Sequence, residues 1–183
     1  HFLGLGLSLK SVSSQPKPLN PSAGEKDADP VEREGKMLSN VFNRVARSCF
    51  YTIQKYGEPI MPMGQVSEEV LHDAKETILK YEHAMYKFEF HTVMNLMDTY
   101  IRNANKFWAK NIKDAEADPE KRNQVLIDTL HMVKTAMVLM HPVAPKGTEL
   151  LCEYLGFGKD IWNWEHVFDT LTDLAKANGE TEH

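Results

Sequence analysis

The sequence predicts an all-helical bundle of about five to six helices. Three observations predict it. Apolar residues recur at three- and four-residue steps in one segment after another from about residue 30 onward. No alternating stretch of strand length stands out. The breaks between segments carry Gly and Pro, at Gly57 to Gly64, Asp118-Pro119, His141 to Pro145 and Gly156 to Gly158. With 183 residues and a hydrophobic fraction of 42%, the chain has apolar material for one packed core and no room for a second large domain.

The elements follow in order. Residues 10–30, KSVSSQPKPLNPSAGEKDADP, hold four of the nine prolines among Ser, Lys, Asp and Gly, which is a linker composition with too little apolar surface to offset its ordering entropy. A first helix is expected from about Pro30 to Lys55, with Leu38, Val41, Phe42, Val45, Cys49 and Ile53 on one stripe. A second starts at Ser67, read as its N-cap, with Glu68 and Glu69 in the dipole-favoured first turn, and runs toward Tyr86. A third carries Val93, Met97, Tyr100, Ile101, Ala104 and Trp108 on one face. A fourth begins after Asp118-Pro119, with Pro at its first position, and runs through Val125, Leu126, Leu130, Val133 and Met137 until Pro142. A fifth spans about Lys146 to Leu155 and ends at Gly156, and a last one is expected from Glu165 to Ala177.

Composition excludes several function classes. The opening Phe2, Leu3, Leu5, Leu7 pattern is too short and Gly-broken to span a membrane and lacks the basic start and cleavage site of a signal peptide, so a cytoplasmic location is expected. The start at His1, in mid-pattern, reads as a piece of a longer protein. Cys49 and Cys152, each in an apolar helical context, read as two free, largely buried thiols, with neither disulfide nor metal spacing. A net charge of -5 argues against an unspecific nucleic-acid coat and leaves room only for a local basic patch. No catalytic constellation is expected: there is no His-Glu-x-x-His zinc helix, no phosphate-binding Gly loop and no Gly-x-Ser-x-Gly elbow. Lys36-Met37-Leu38-Ser39 is only superficially like a catalytic lysine loop, because it lies within the apolar stripe of the first helix.

Two polar groupings carry chemistry. At about 100° per residue from Leu38, Asn43 and Arg47 fall at about 140° and 180°, off the apolar stripe and stacked one turn apart. An amide and a guanidinium so placed can address base edges and phosphate, though on spacing alone a solvated polar face is the commoner reason for such a pair. On the third helix Arg102, Lys106 and Lys110 form a basic row, followed by Lys113, with Trp108 near its end. A ring beside cations suits an unpaired base and its phosphate. The same tryptophan continues the apolar stripe of its helix, so a core position is equally compatible unless the helix frays near Asn105 to Phe107 and frees the ring.

These residues carry a resemblance to methionyl-tRNA synthetases. NVFNRVARSCFYTIQKY (Asn40 to Tyr56) resembles the first helix of their anticodon-binding domain, whose Asn-x-x-x-Arg pair is matched by Asn43 and Arg47. FEFHTVMNLMDTYIRNANKFWAKN (Phe88 to Asn111) resembles the helix that ends in a base-stacking tryptophan, here Trp108, 65 residues after Asn43. HPVAPKGTELLCEYLGF (His141 to Phe157) resembles the family's Pro-x-x-Pro turn and following helix. The match covers roughly residues 35–170. The family often has Pro directly before the tryptophan and an acidic residue five positions before it; this chain has Phe107 and Asn103.

The resemblance implies a class I synthetase anticodon-binding domain over residues 31–183, with residues 1–30 as the end of a stem-contact region and a linker. It implies anticodon contacts from Asn43, Arg47 and Trp108, supported by Arg102, Lys106 and Lys110, and a methionine tRNA with a CAU anticodon loop as partner. Methionine activation, with its ATP and Mg, is implied for a catalytic domain of the same polypeptide, leaving this chain without cofactor, metal or activity of its own. Two rival readings stand beside it. One is the anticodon domain of a related class I synthetase, for isoleucine, valine, leucine or cysteine. The other is a helical protein-interaction module without RNA, in keeping with the net charge of -5.

Overall fold

The structure, a computed structural model, describes residues 42–56 and 64–180. The expected linker at 10–30, the Lys36 to Ser39 stretch, the start of the first helix and most of the Gly57 to Gly64 break lie outside the described residues. Six α-helices are present among the described residues: α1 Asn43–Tyr56, α2 Glu68–Tyr86, α3 Phe90–Ala115, α4 Pro119–Met140, α5 Pro145–Leu155 and α6 Leu171–Glu180, with short 3-10 turns at Lys159–Trp162 and Trp164–His166. They contain no strand, and the all-helical bundle expected from periodicity is what forms.

Helix α4 is the axis of the bundle. It packs against α1, α2, α3 and α5 and against the first 3-10 turn. Every residue from Leu126 to Met140 is buried, so this helix has no solvent face along most of its length. The outer helices are one-sided. Helix α1 buries Val45, Ala46 and Cys49; α2 buries Val70, Ala74, Ile78, Tyr81 and Ala84; α3 buries Val93, Met97, Ile101, Ala104 and Trp108. Both cysteines are free and buried. Burial pushes the Cys49 and Cys152 thiols up, which keeps them unreactive.

The helix ends follow sequence chemistry in some places and depart from it in others. Asp118 caps α4 by accepting from the backbone N–H of Glu120 and Lys121, with Pro119 just inside. Gly156 closes α5 in the left-handed region at φ 70°. Ser67 does occupy the N-cap of α2, but its hydroxyl does not cap. It donates instead to the buried Asp128 of α4 at 2.7 Å, and Asp128 also accepts from the Ser67 backbone N–H at 2.8 Å and the Gln124 amide at 3.0 Å.

The last helix departs most from expectation. A run from Glu165 to Ala177 is replaced by a 3-10 turn and a helix starting at Leu171. The reason lies in Lys134 on α4. Its wholly buried ammonium donates to the carbonyls of His166, Val167 and Asp169 at 3.0, 2.8 and 3.0 Å, acceptors that an early helix would need for itself. The helix begins where Thr170 and Asp173 cap each other reciprocally.

Candidate nucleic-acid interface

Asn43 and Arg47 are both exposed on the solvent side of α1, as their angular position requires. Tyr51, one turn further along the same stripe, is 59% exposed. Helices α1 and α3 run the same way, since Tyr56 at the end of α1 meets Glu116 just past the end of α3. A cleft of about 370 Å³ opens between them and the start of α4. Its α1 wall is Ser48, Tyr51, Thr52, Lys55 and Tyr56; Trp108, Ile112, Lys113 and Glu116 form the opposite wall, and Arg122 closes one end.

Trp108 stays on the core side of an unbroken α3. The helix does not fray at Asn105 to Phe107: it is continuous from Phe90 to Ala115. The ring is 9% exposed and belongs to the hydrophobic core, yet it also borders the cleft. Of the two positions its sequence allowed, the ring thus takes the core one, at the edge of the cleft. Tyr51 joins the Asn43/Arg47 stripe to the tryptophan, while Asn43 and Arg47 themselves lie outside the lining of the cleft.

The basic row is divided. Lys106 and Lys110 line a second cleft, of about 600 Å³, with Asn103, Phe107 and Asn111, opposite Glu69, His72 and Asp73 of α2. Arg102 is ion-paired with Asp98, its Nε donating at 2.8 Å. Helical geometry accounts for the division, because two positions on a helix differ by about 200° and Lys106 and Lys110 each lie two from Trp108. The cations bordering Trp108 are Lys55, Lys113 and Arg122.

The rim of the Trp108 cleft is a polar cluster. Tyr56 Oη donates to Glu116 Oε1 at 2.7 Å and Lys55 Nζ to the same oxygen at 3.4 Å. Arg122 donates to the Glu116 backbone carbonyl at 2.8 Å and lies 4.2 Å from the Tyr56 ring centroid, with Lys55 at 4.4 Å. The Tyr56 hydroxyl, and then the Lys55 ammonium, hold the Glu116 carboxyl below the usual glutamate value. Three cations against one carboxylate make this rim suited to an anion, with aromatic surface beside it.

Sequence reasoning missed Tyr51, Lys55, Tyr56 and Arg122. A signal existed for Tyr51, an aromatic at the next i, i+4 place on the Asn43/Arg47 stripe. Arg122 had none, because its arrival beside Tyr56 depends on how α4 docks.

No family model matches the chain. Its similarity to known proteins is nonetheless consistent. Methionine–tRNA ligase of Enterococcus faecalis is 26% identical over 137 residues, 73% of this chain and 20% of that protein. The enzyme of that name from Methanococcoides burtonii is 28% identical over 182 residues, 95% of this chain and 25% of that protein. The mitochondrial methionine–tRNA ligase of Xenopus laevis is 23% identical over 185 residues, 88% of this chain and 32% of that protein. The chain spans about a fifth to a third of the length of these relatives. No helix among the described residues is long and apolar enough to cross a membrane. An all-helical chain with an aromatic, cation-rimmed cleft is thus similar, over most of its length, to one segment of methionine–tRNA ligases.

Proposed function

We propose that this chain is the anticodon-recognising part of a methionine–tRNA ligase and binds the CAU anticodon loop of methionine tRNA along the Asn43–Arg47–Tyr51 stripe and the Trp108 cleft. The observation that carries the reading is the placing of Trp108 at a cleft rimmed by Lys55, Lys113 and Arg122, beside the exposed Asn43/Arg47 face. An anticodon loop offers unpaired bases for the aromatic surfaces and phosphates for the cations. Similarity to proteins named methionine–tRNA ligase supports the choice of tRNA. Methionine activation with ATP and Mg is assigned to a catalytic domain of the same polypeptide outside this chain, and the compartment to the cytosol, in keeping with two free thiols.

The test is a titration of a CAU anticodon stem-loop into the chain, repeated with a scrambled anticodon and at several salt concentrations. Tighter binding of the CAU loop is expected, with affinity falling as salt rises by about 0.7 log unit per log unit of salt for each phosphate contact. Binding that ignores the anticodon sinks the reading.

A helical protein-interaction module remains the rival reading. Tyr86 and Phe88, 86% and 78% exposed at the α2–α3 corner, are the observation in its favour. That module would show no anticodon preference.

A further inference from the structure

An acid at the rim of a phosphate-binding cleft works against binding. Glu116 stands among Lys55, Lys113 and Arg122 with a side chain 62% exposed, so its charge weakens the attraction of the cleft for any nucleic acid. It is also held in place. Tyr56 and Lys55 both donate to Oε1, and Arg122 fixes the backbone carbonyl of the same residue. Among the described residues no side chain donates to Oε2. An ionised carboxylate offers acceptors only, so it matches a base edge that presents a donor and repels one that presents an oxygen.

We propose that Glu116 is a specificity residue of the cleft, accepting the exocyclic amino group of a cytosine on its carboxylate; this rests on the reading of the cleft as an anticodon site. Away from its pairing face cytosine sets a C–H beside its amino group, whereas adenine sets N7 there, facing the second carboxylate oxygen. Uracil places a carbonyl where cytosine has the amino group. It meets the carboxylate as one acceptor meets another. The base lies against the aromatic surface of Tyr51 and Trp108, and its phosphate falls to Lys113 and Lys55.

The experiment compares CAU, UAU and CGU stem-loops on the full chain and on Glu116→Gln. The glutamine keeps an oxygen for Tyr56 and Lys55 and adds an N–H that can donate to uracil. The native chain should prefer CAU to UAU by about 5- to 150-fold, the value of one good base contact. In Glu116→Gln that ratio should fall to within about threefold of unity. Affinity for CAU should fall, because the free carboxylate oxygen that accepts the cytosine amino group has become an N–H, while affinity for UAU rises.

If the native chain binds the loops without regard to anticodon, the anticodon reading fails and this inference with it. If the native chain discriminates and Glu116→Gln keeps the same CAU to UAU ratio, only the Glu116 assignment is overturned. Loss of discrimination against CGU, with the CAU to UAU ratio intact, overturns the choice of cytosine.

Discussion

The ammonium of Lys134, on a residue with no exposed surface, donates to the carbonyl of Val167 at 2.8 Å and so pins the 3-10 segment to the middle of α4. Replacing Lys134 by Met, similar in length and without a donor, removes the donor from the buried carbonyl of Val167 and from that of Asp169, while the His166 carbonyl keeps the Asp169 N–H. A loss of about 1 to 3 kcal/mol is expected in urea unfolding. Amide exchange should speed up first around residues 166–170, and RNA affinity should hold, since the site lies elsewhere.

His131 supplies a pH dependence. Burial, then the nearby Lys134 ammonium, pushes its pKa from 6.5 down to about 4. The folded chain therefore keeps the imidazole neutral where the unfolded chain protonates it. This stability contribution is complete above pH 6.5 and is lost as pH falls toward 4, by about 3 kcal/mol in all. His131→Leu removes the titration together with a ring nitrogen, Nδ1, that has no partner among the described residues. Its stability should fall less steeply between pH 6.5 and 4 in chemical denaturation.

Asp128 joins α4 to the start of α2. Asp128→Ala deletes the acceptor of both Ser67 donors and of Gln124. It should cost about 2 to 3 kcal/mol of folding stability. Asp128→Asn, which retains one carbonyl oxygen, should cost less. A loss below about 0.5 kcal/mol for the alanine variant, small beside a buried charged hydrogen bond, counts against this account.

Trp108 and Tyr51 should separate folding from binding. Trp108 is nearly covered and Tyr51 is not. Trp108→Ala should cost about 3 to 5 kcal/mol of stability, as other large core truncations do. Tyr51→Ala should leave the unfolding midpoint almost unchanged and weaken anticodon stem-loop binding by about 1 to 3 kcal/mol through lost stacking. Equal stem-loop affinities for the native chain and Tyr51→Ala would remove Tyr51 from the site.

What the sequence made legible was whatever a single helix decides. The 100° step put Val45 and Cys49 inside and Asn43 and Arg47 outside, and the same step placed Trp108 with the core residues of α3. Asp118-Pro119 and Gly156 marked helix ends through local chemistry. Helix α4 was harder to read because its polar residues, Asp128, His131 and Lys134, are buried too. Two of them find partners at Ser67 and at residues 166–169, and no periodicity within α4 announces a partner so far along the chain. The division of the basic row had a local cause that angular arithmetic could have found. The gathering of Lys55, Tyr56, Glu116 and Arg122 at the cleft depends on how three helices dock.

The all-round burial of α4 also sets an order of events during synthesis. Translation delivers α1, α2 and α3 first; α2 and α3 can pack on each other, but the main cover of α1 and α3 is a helix not yet made. Until residues 126–140 have left the ribosome, Val45, Ile78 and Ile101 have no finished core to enter, and a nascent chain stalled before Pro119 presents these faces to chaperones and to its neighbours. Emergence of α4 supplies that cover, and α4 in turn waits for residues 166–169, whose carbonyls receive the buried Lys134 ammonium.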